Sequence, residues 1–244
     1  ARTREICQSL VQVCEIEGIS AQDLLLVSRG DSTLRGHGVL EPTVIAEELG
    51  PFDATFHVPA FFEGGRTTIN GVHLLNGSPV HTTSFARDRL FGYSTSNLAS
   101  WLEEKSEGRI LAENVARLTI DLLDAAMNSS AGMLRLIDWL VALSGNRSVI
   151  VDAEYPEQLA VFGQAIRVLL HKKRFLFRSA ASLLNGLANL PPNSYQTADL
   201  SALRLSDGFG RLKPGLIMVG SHVQLADAQL NILLKQSECC GLEL

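Results

Sequence analysis

The sequence is poor in aromatic and charged residues and has no excess of basic ones. Aromatic residues make up 6% of its 244 positions, charged residues make up 19%, and the formal net charge is −5. Without a basic stripe to neutralise phosphates, a nucleic-acid partner is not expected. The apolar runs are shorter than a membrane span and no signal-peptide pattern opens the chain, so membrane association is not expected either.

Cysteine is also scarce, with four residues at positions 7, 14, 239 and 240. No Cys-x-x-Cys spacing indicates a zinc site, and nothing indicates a disulfide framework, so the sequence favours a reducing, cytoplasmic setting. Cys7 and Cys14 fall on one face of a predicted helix and are interpreted as small core residues. Cys239 and Cys240 are interpreted as packing residues rather than redox groups.

The sequence does contain a regular alternation of short apolar runs and amphipathic stretches. This alternation predicts an α/β fold, a layered and mostly parallel central sheet with helices between its strands. The predicted strands are 24–27, 54–58, 109–111, 118–120, 148–151 and 174–177. The predicted helices are 3–17, 40–49, 98–105, 133–141, 159–170 and 180–187.

A β-hairpin is predicted as an excursion from this pattern, over residues 67–84. Its two arms, 68–75 and 78–84, are joined at Asn76-Gly77, the dipeptide that favours a type I′ turn. Asn70-Gly71 is a competing turn, which leaves the register open. His73 and His81 lie in these arms and are interpreted as partly buried, hydrogen-bonded side chains.

The domain organisation is expected to change near residue 190. Residues 1–190 form the first predicted domain, and the Pro- and Gly-containing stretch 191–213 is the predicted linker. Residues 214–244 then show an apolar strand at 215–219, a turn at Gly220-Ser221 and a helix. Because the chain opens with Ala inside a helical pattern and stops soon after this βα unit, we expect a piece of a longer protein.

The richest polar stretch, residues 28–37, follows the first predicted strand. Within residues 29–36, Arg29 and Arg35 supply two guanidiniums, Asp31 a carboxylate, and Ser32 and Thr33 two hydroxyls. In open α/β sheets ligands bind at the carboxyl ends of the strands, and this mixture suits a small anionic, polyhydroxylated ligand. The alternative is a polar turn in which Asp31 or Ser32 caps the next helix.

Two other strand ends carry candidate site residues. Gly64-Gly65-Arg66 follows the strand 54–58, so Arg66 is expected beside the first loop as a second anion contact; a glycine-rich connection is the alternative. Asp152 follows the strand 148–151 and is either a site residue or a helix cap. Gly220 and Ser221 form a weak candidate for a phosphate cradle before a helix.

In their order, several segments resemble the four-carbon acid sugar kinase family across nearly the whole chain. They are 28–37, 61–66, 71–73, 85–88, 96–98, 152–153 and 219–223, and the string Asp-Ser-Thr-Leu-Arg-Gly at 31–36 is the most specific. The resemblance implies an amino-terminal domain that binds a sugar acid and a carboxyl-terminal domain that binds ATP. Threonate, erythronate and 3-oxo-tetronate are the substrates it implies, phosphorylated at the terminal hydroxyl, and the sequence does not choose among them.

The resemblance also implies site residues. Arg29, Gly30, Asp31 and Ser32 would contact the sugar acid, and the residue pattern described above adds Arg35 and Arg66 as expected substrate contacts. Asp31, or an acid in a motif upstream of residue 1, would accept the proton of the attacking hydroxyl. Gly220 and Ser221 would begin the ATP site, Mg²⁺ would accompany the nucleotide, and no metal site of the protein itself is predicted. The family's usual lysine is Arg29 here, which keeps the charge but cannot act as a base.

Two alternatives to a kinase stay open at this point. One is a non-catalytic binding module that senses a sugar acid. The other is a nicotinamide-dependent dehydrogenase built on the turn at Gly220, which the missing Gly-x-Gly-x-x-Gly pattern weakens. A homo-oligomer is compatible with the sequence, which gives no oligomeric state.

Overall fold

A computed structural model describes residues 1–190, 204–220 and 224–241 of the chain. The chain divides into two compact units, Ala1–Pro191 and Pro192–Leu244, and each is treated by itself below. In the described ranges, no helix is both long and apolar enough to cross a membrane.

The first unit alternates strands and helices along the chain. Its helices are α1 (Arg2–Glu17), α2 (Leu40–Leu49), α3 (Leu98–Lys105), α4 (Ile120–Asn128), α5 (Ser130–Val141), α6 (Pro156–Leu169) and α7 (Ser182–Ala188). Its strands are β1 (Leu26–Arg29), β2 (Ala54–Val58), β3 (Arg66–Ile69), β4 (Val72–Leu75), β5 (Ser78–Pro79), β6 (Ala116–Leu118), β7 (Arg147–Val151) and β8 (Phe175–Ser179).

Five of the strands form one parallel sheet in the order β1-β8-β2-β7-β6. Because every pair is parallel, all five carboxyl ends lie along one edge of the sheet. The predicted α/β fold with a mostly parallel central sheet is therefore confirmed. The strand of this sheet that comes last in sequence, β8, lies between β1 and β2, so the loops that leave β1 and β2 are brought to either side of it.

The other three strands form a small antiparallel sheet in the order β3-β4-β5. Both candidate turns are used, because Asn70-Gly71 joins β3 to β4 and Asn76-Gly77 joins β4 to β5, each with two positive φ angles. The predicted single hairpin is thus wrong in detail, and residues 80–82 and 84–87 form 3-10 turns instead. Paired backbone hydrogen bonds between Thr68 and Ala153 fix this sheet to the end of β7.

The main core lies on one face of the central sheet, under α4 to α7. Phe56 on β2 stacks on Phe177 of β8 with ring centroids 5.4 Å apart, and Phe162 of α6 packs edge-on against both. All three rings are fully buried. Aromatic residues are few in this chain, and this cluster concentrates several of them where they bury the most apolar area.

Several predicted strands differ from the structure, among them 118–120, where the strand is β6 (Ala116–Leu118) and Ile120 begins α4. Residues 109–111 are not a strand, and β1 begins two residues later than predicted. Residues 215–219 are not a strand either, and the side chains of Leu216 and Met218 are 87% and 83% exposed. An apolar segment forms a strand when a neighbouring strand pairs with its backbone N–H and C=O groups. Among the described residues, no strand pairs with 215–219. The helix that follows is α8 (Gln224–Leu233), close to the predicted position.

Candidate functional site

The loops that follow β1 and β2 leave the same edge of the sheet, on either side of β8. The amide of Gly30 donates to the carbonyl of Ser179 at 2.8 Å, and the amide of Ala180 donates to the carbonyl of Val58 at 2.9 Å. The expectation that the segments around Arg35 and Arg66 share one edge is met by this strand order. We call residues 30–38 the site loop.

The site loop adopts a conformation that its neighbours must hold in place. Leu34 has a φ of 66°, in the left-handed region that is costly for a branched aliphatic residue, and its side chain is only 4% exposed. The burial of Leu34 beside Val39, Leu98 and Trp101 compensates for this strain. The buried contacts of Leu34 therefore favour this conformation of the loop.

Two buried side chains tie the site loop to the rest of the fold. The His73 ring, on β4, bonds the carbonyl of Ser32 through Nε2 at 2.8 Å and Thr68 Oγ1 through Nδ1 at 3.0 Å. Burial lowers the pKa of His73 to about 4, so the ring is neutral, and Nε2–H donates while Nδ1 accepts. The Tyr93 hydroxyl donates to the carbonyl of Thr33 at 2.7 Å.

The carboxylate of Asp31 is hydrogen-bonded to other residues of the site loop. Its carboxylate accepts from Thr33 Oγ1 at 2.5 Å, from the Thr33 amide at 3.2 Å and from Arg35 Nε at 2.8 Å. Burial alone would raise the pKa of Asp31, but these hydrogen bonds outweigh it and the pKa lies below its usual value. A carboxylate stabilised in its charged form is a weak proton acceptor, which bears on its predicted role as a base.

The alternative in which the loop merely caps a helix finds no support. The helix that follows the loop, α2, has Val39 at its N-cap position and no capping side chain. The turn made by Asp31 closes within the loop itself, where it orders Thr33 and Arg35.

Arg35 and Arg66 meet at the ring of Phe85. The guanidinium carbon of Arg35 lies 5.1 Å from the ring centroid and that of Arg66 lies 5.9 Å from it. Two cations from separate strand ends therefore converge on one aromatic side chain. The sequence predicted the two arginines but not Phe85, although the segment 85–88 that contains it was among those carrying the family resemblance.

The two arginines differ in how their charge is matched. Arg35 pairs with Asp31 and lies 3.6 Å from Asp88, whereas Arg66 donates to the carbonyl of Gly64 at 2.7 Å. Within the described ranges, no carboxylate lies within ion-pair distance of Arg66, and its buried Nε has no hydrogen-bond partner. Arg66 is therefore a cation whose matching anion is missing from the described part of the chain.

Arg29 lies apart from this pair. It is the last residue of β1, pairs in register with Ser179, and is exposed. The alternation of the strand puts it on the opposite face from Ser28. Its side chain makes no hydrogen bond or ion pair with the residues that the structure describes, so no direct contact joins it to Arg35 or Arg66.

Behind the site loop lies an ion pair that the sequence did not predict. Arg178, on β8, donates through Nη1 to Ser28 Oγ at 2.6 Å and to Glu41 Oε2 at 2.8 Å. A side chain at position 30 would place its Cβ 2.7 Å from Arg178 Nε, so any residue larger than glycine would force the Arg178 side chain to shift. The available signal was Arg178 itself, a charge at the end of an otherwise apolar strand.

Asp152 is not the cap of α6, whose N-cap residue is Tyr155, and its described contacts are with the small sheet and β6. The residue is 1% exposed. Its carboxylate accepts a hydrogen bond from the amide of Gly71 at 2.8 Å and lies 3.6 Å from Arg117 Nε. Burial raises its pKa. It therefore holds the first turn of the small sheet against the end of β7.

The predicted nucleotide contacts are described only in part. Gly220 lies in exposed, irregular chain, and Ser221 lies outside the described residues. Across 1–190, 204–220 and 224–241, no group of three His, Cys, Asp or Glu side chains is arranged to hold a metal ion.

Comparison with known proteins adds an independent line of evidence. Residues 1–187 match the family described as the sugar-binding N-terminal domain. A D-threonate kinase of Cupriavidus necator is 30% identical over 145 residues, which are 57% of this chain and 30% of that protein. The chain thus spans under a third of the length of this curated relative.

Solved structures share the fold at low identity. A Haemophilus influenzae protein is 18% identical, with a TM-score of 0.51 over 66% of this chain and 37% of that one. A Bordetella bronchiseptica domain of unknown function, solved with bound citrate as a domain-swapped dimer, is 23% identical, with a TM-score of 0.51 over 77% of this chain and 40% of that one.

Proposed function

The chain belongs to the family of sugar-binding N-terminal domains, and from this premise we propose that its site loop and Arg66 bind a small hydroxylated carboxylic acid. One observation carries the proposal: the guanidinium of Arg66 is held at the carboxyl edge of the sheet with no carboxylate partner among the described residues. Such a guanidinium is a preformed site for a carboxylate, which it can bind with two parallel hydrogen bonds.

The roles of the other residues follow from their contacts. Arg35 is already paired with Asp31, so it adds positive potential and a flat stacking surface rather than a free charge. Ser32 makes no side-chain hydrogen bond within residues 1–190, and its hydroxyl is proposed to bind a ligand hydroxyl together with the backbone of Gly30. Arg29, at the strand end, is proposed to reach the same carboxylate from the other side of β1.

For the whole protein we propose a kinase that transfers the terminal phosphoryl group of ATP to the terminal hydroxyl of a four-carbon sugar acid. Support comes from the D-threonate kinase of Cupriavidus necator and from the family resemblance of the site loop. Threonate, erythronate and 3-oxo-tetronate are the proposed candidates. ATP with its Mg²⁺ is proposed as the second substrate, with Gly220 and Ser221 at the start of its site, and a homo-oligomer stays a prediction.

The contacts of Asp31 support a second candidate function, a binding domain without catalytic activity. Because its carboxylate is engaged by Thr33 and Arg35 and its pKa lies below the usual value, the described site is better equipped to bind an acid than to accept a proton. A non-catalytic domain that senses a sugar acid has the same binding residues. Activity with ATP separates the two.

The binding proposal is tested by calorimetric titration of the protein with D-threonate, D-erythronate and 3-oxo-tetronate. Replacing Arg66 by Gln should weaken binding of the preferred acid roughly thirtyfold to hundredfold, since a charge-assisted bidentate pair is lost. Arg135→Gln, a matched change at an exposed position on α5, should leave the affinity unchanged.

One outcome would contradict the binding site, and a second measurement decides between the kinase and the sensor. Equal affinities of the Arg66→Gln and Arg135→Gln variants would show that Arg66 does not bind the carboxylate. A coupled assay for ADP formation with the same acids tests the kinase, and binding of an acid without turnover by the whole protein would favour the sensor.

A further inference from the structure

A small cavity lies at the carboxyl edge of the sheet, directly beneath the site loop. It has a volume of about 30 Å³, and its walls include Gly30, Leu34, His57, Trp101 and Arg178. Asp31 and Arg35 also line it, so it shares residues with the candidate carboxylate site. We call it the inner pocket.

Two side chains of the inner pocket have buried polar atoms without partners. Both ring nitrogens of His57 and the indole Nε1 of Trp101 lack a hydrogen-bond partner among the residues that the structure covers. As residues, His57 is 5% exposed and Trp101 is 4% exposed. A buried polar atom without a partner is rare and costly, so the presence of two such side chains in the wall of one cavity indicates a polar occupant.

The wall of the inner pocket carries no unmatched charge. His57 and Arg178 are neighbours in register on β2 and β8, and burial, together with this guanidinium, lowers the pKa of His57 to about 3. The ring is therefore neutral and offers one N–H donor and one acceptor nitrogen. The charge of Arg178 is matched by Glu41, at 2.8 Å.

This donor and acceptor set selects the chemistry of the occupant. A carboxylate oxygen only accepts hydrogen bonds, and its charge would be buried without a free counter-ion. An ammonium group only donates, so it would leave the Trp101 N–H without a partner. A hydroxyl both donates and accepts, and a cavity of about 30 Å³ has room for one or two oxygen-sized groups.

We propose that the inner pocket receives a hydroxyl group of the bound acid, with Trp101 Nε1–H donating to its oxygen and the acceptor nitrogen of His57 receiving its hydrogen. This proposal rests on the proposed function, because it assigns the hydroxyl-recognising part of the same ligand site. His57 and Trp101 become specificity-determining residues, which separate hydroxylated from plain carboxylic acids while Arg66 binds the carboxylate common to both.

The test compares D-threonate, which has three hydroxyls, with butanoate, a four-carbon acid that has none. Trp101→Phe removes the indole N–H, and His57→Leu removes both ring nitrogens. Each should weaken D-threonate binding about tenfold and leave butanoate binding unchanged, as expected for one lost hydrogen bond to the ligand. His57→Gln keeps a donor and an acceptor and should recover most of the affinity, whereas Trp139→Phe is the matched tryptophan control.

A second measurement follows the parent protein and needs only the Trp139→Phe variant, for assignment. The chain has two tryptophans, so the ¹⁵N-labelled protein gives two indole N–H signals, which the Trp139→Phe variant assigns. D-threonate should shift the Trp101 signal, and butanoate should shift neither.

The outcomes separate this inference from the proposed function. If D-threonate binds and Arg66→Gln weakens it, but Trp101→Phe and His57→Leu change both acids equally or not at all, the inner pocket does not recognise a hydroxyl and this proposal is overturned. If the parent protein binds none of D-threonate, D-erythronate and 3-oxo-tetronate, the proposed function itself fails. A Trp101 signal that does not move at saturating D-threonate also overturns the inner-pocket assignment.

Discussion

The two faces of β2 and β8 carry out different tasks with neighbouring residues. On one face Phe56 stacks on Phe177, and on the other His57 lies beside Arg178 in the same register. All five residues of β2 are buried, so burial alone does not distinguish the faces. In a parallel sheet covered on both sides, alternate residues can build a core and a ligand site within one strand.

The largest expected effect is on stability and comes from a substitution on the apolar face of β2. Phe56→Ala should lower the free energy of unfolding by about 3–5 kcal/mol, because it removes a ring that contacts three other phenylalanines and leaves a cavity. Urea unfolding followed by circular dichroism measures it. Phe209→Ala, at a position that is 87% exposed, is the matched control and should leave stability unchanged.

Because the two faces of β2 have different tasks, the Phe56→Ala substitution should change stability and not ligand affinity. Where the Phe56→Ala variant is still folded, its affinity for the acid should stay within about twofold of the parent. A tenfold loss of affinity in the folded variant would mean that the two faces are coupled and that the division of tasks is wrong.

An intermediate effect is expected at Arg29, which lies at the strand end on the opposite face from Ser28. In the whole protein, Arg29→Ala should raise the KM for the acid roughly thirtyfold to hundredfold, or about 2–3 kcal/mol, and leave the KM for ATP nearly unchanged. Arg29→Lys should recover part of this loss, since lysine keeps the charge. A KM within twofold of the parent would remove Arg29 from the site and leave Arg66 to bind the carboxylate.

The smallest effect is expected at Asp31. Asp31→Asn keeps the shape of the side chain but weakens its hydrogen bonds to Thr33 and Arg35, so it should raise the KM for the acid several-fold with little change in kcat. Steady-state kinetics at saturating ATP measure both constants. A fall in kcat of a hundredfold or more with an unchanged KM would instead identify Asp31 as the proton acceptor.

Much of the fold could be predicted from the sequence, because its signals are local. The bounds of α2 and β2 agree with the predicted ranges 40–49 and 54–58, because they are set by residues within a few positions. The prediction of a strand at 215–219 was wrong because a strand depends on more than its local composition. Its apolar composition is local, but a strand also needs a neighbour, which lies beyond the reach of a local pattern.

The sequence predicted several residues of the candidate site, but it did not predict how they are arranged. Arg35 and Arg66 were identified from their positions after strands, but their meeting at Phe85 depends on a strand order that brings distant segments together. The ion pair of Asp31 with Arg35 spans the left-handed turn at Leu34, which no propensity favours. His57 was missed because a histidine inside an apolar strand gives no sign of lacking a partner.

The position of β8 between β1 and β2 also has a consequence for how the protein is made. Within the described residues, β8 is the single sheet partner of β1, and Leu26 pairs with Leu176. During synthesis from the amino terminus, β1 and the site loop therefore emerge long before the strand that holds them. We expect ligand binding to appear only after residue 179 has left the ribosome, with β1 docking late because so long a loop must close first.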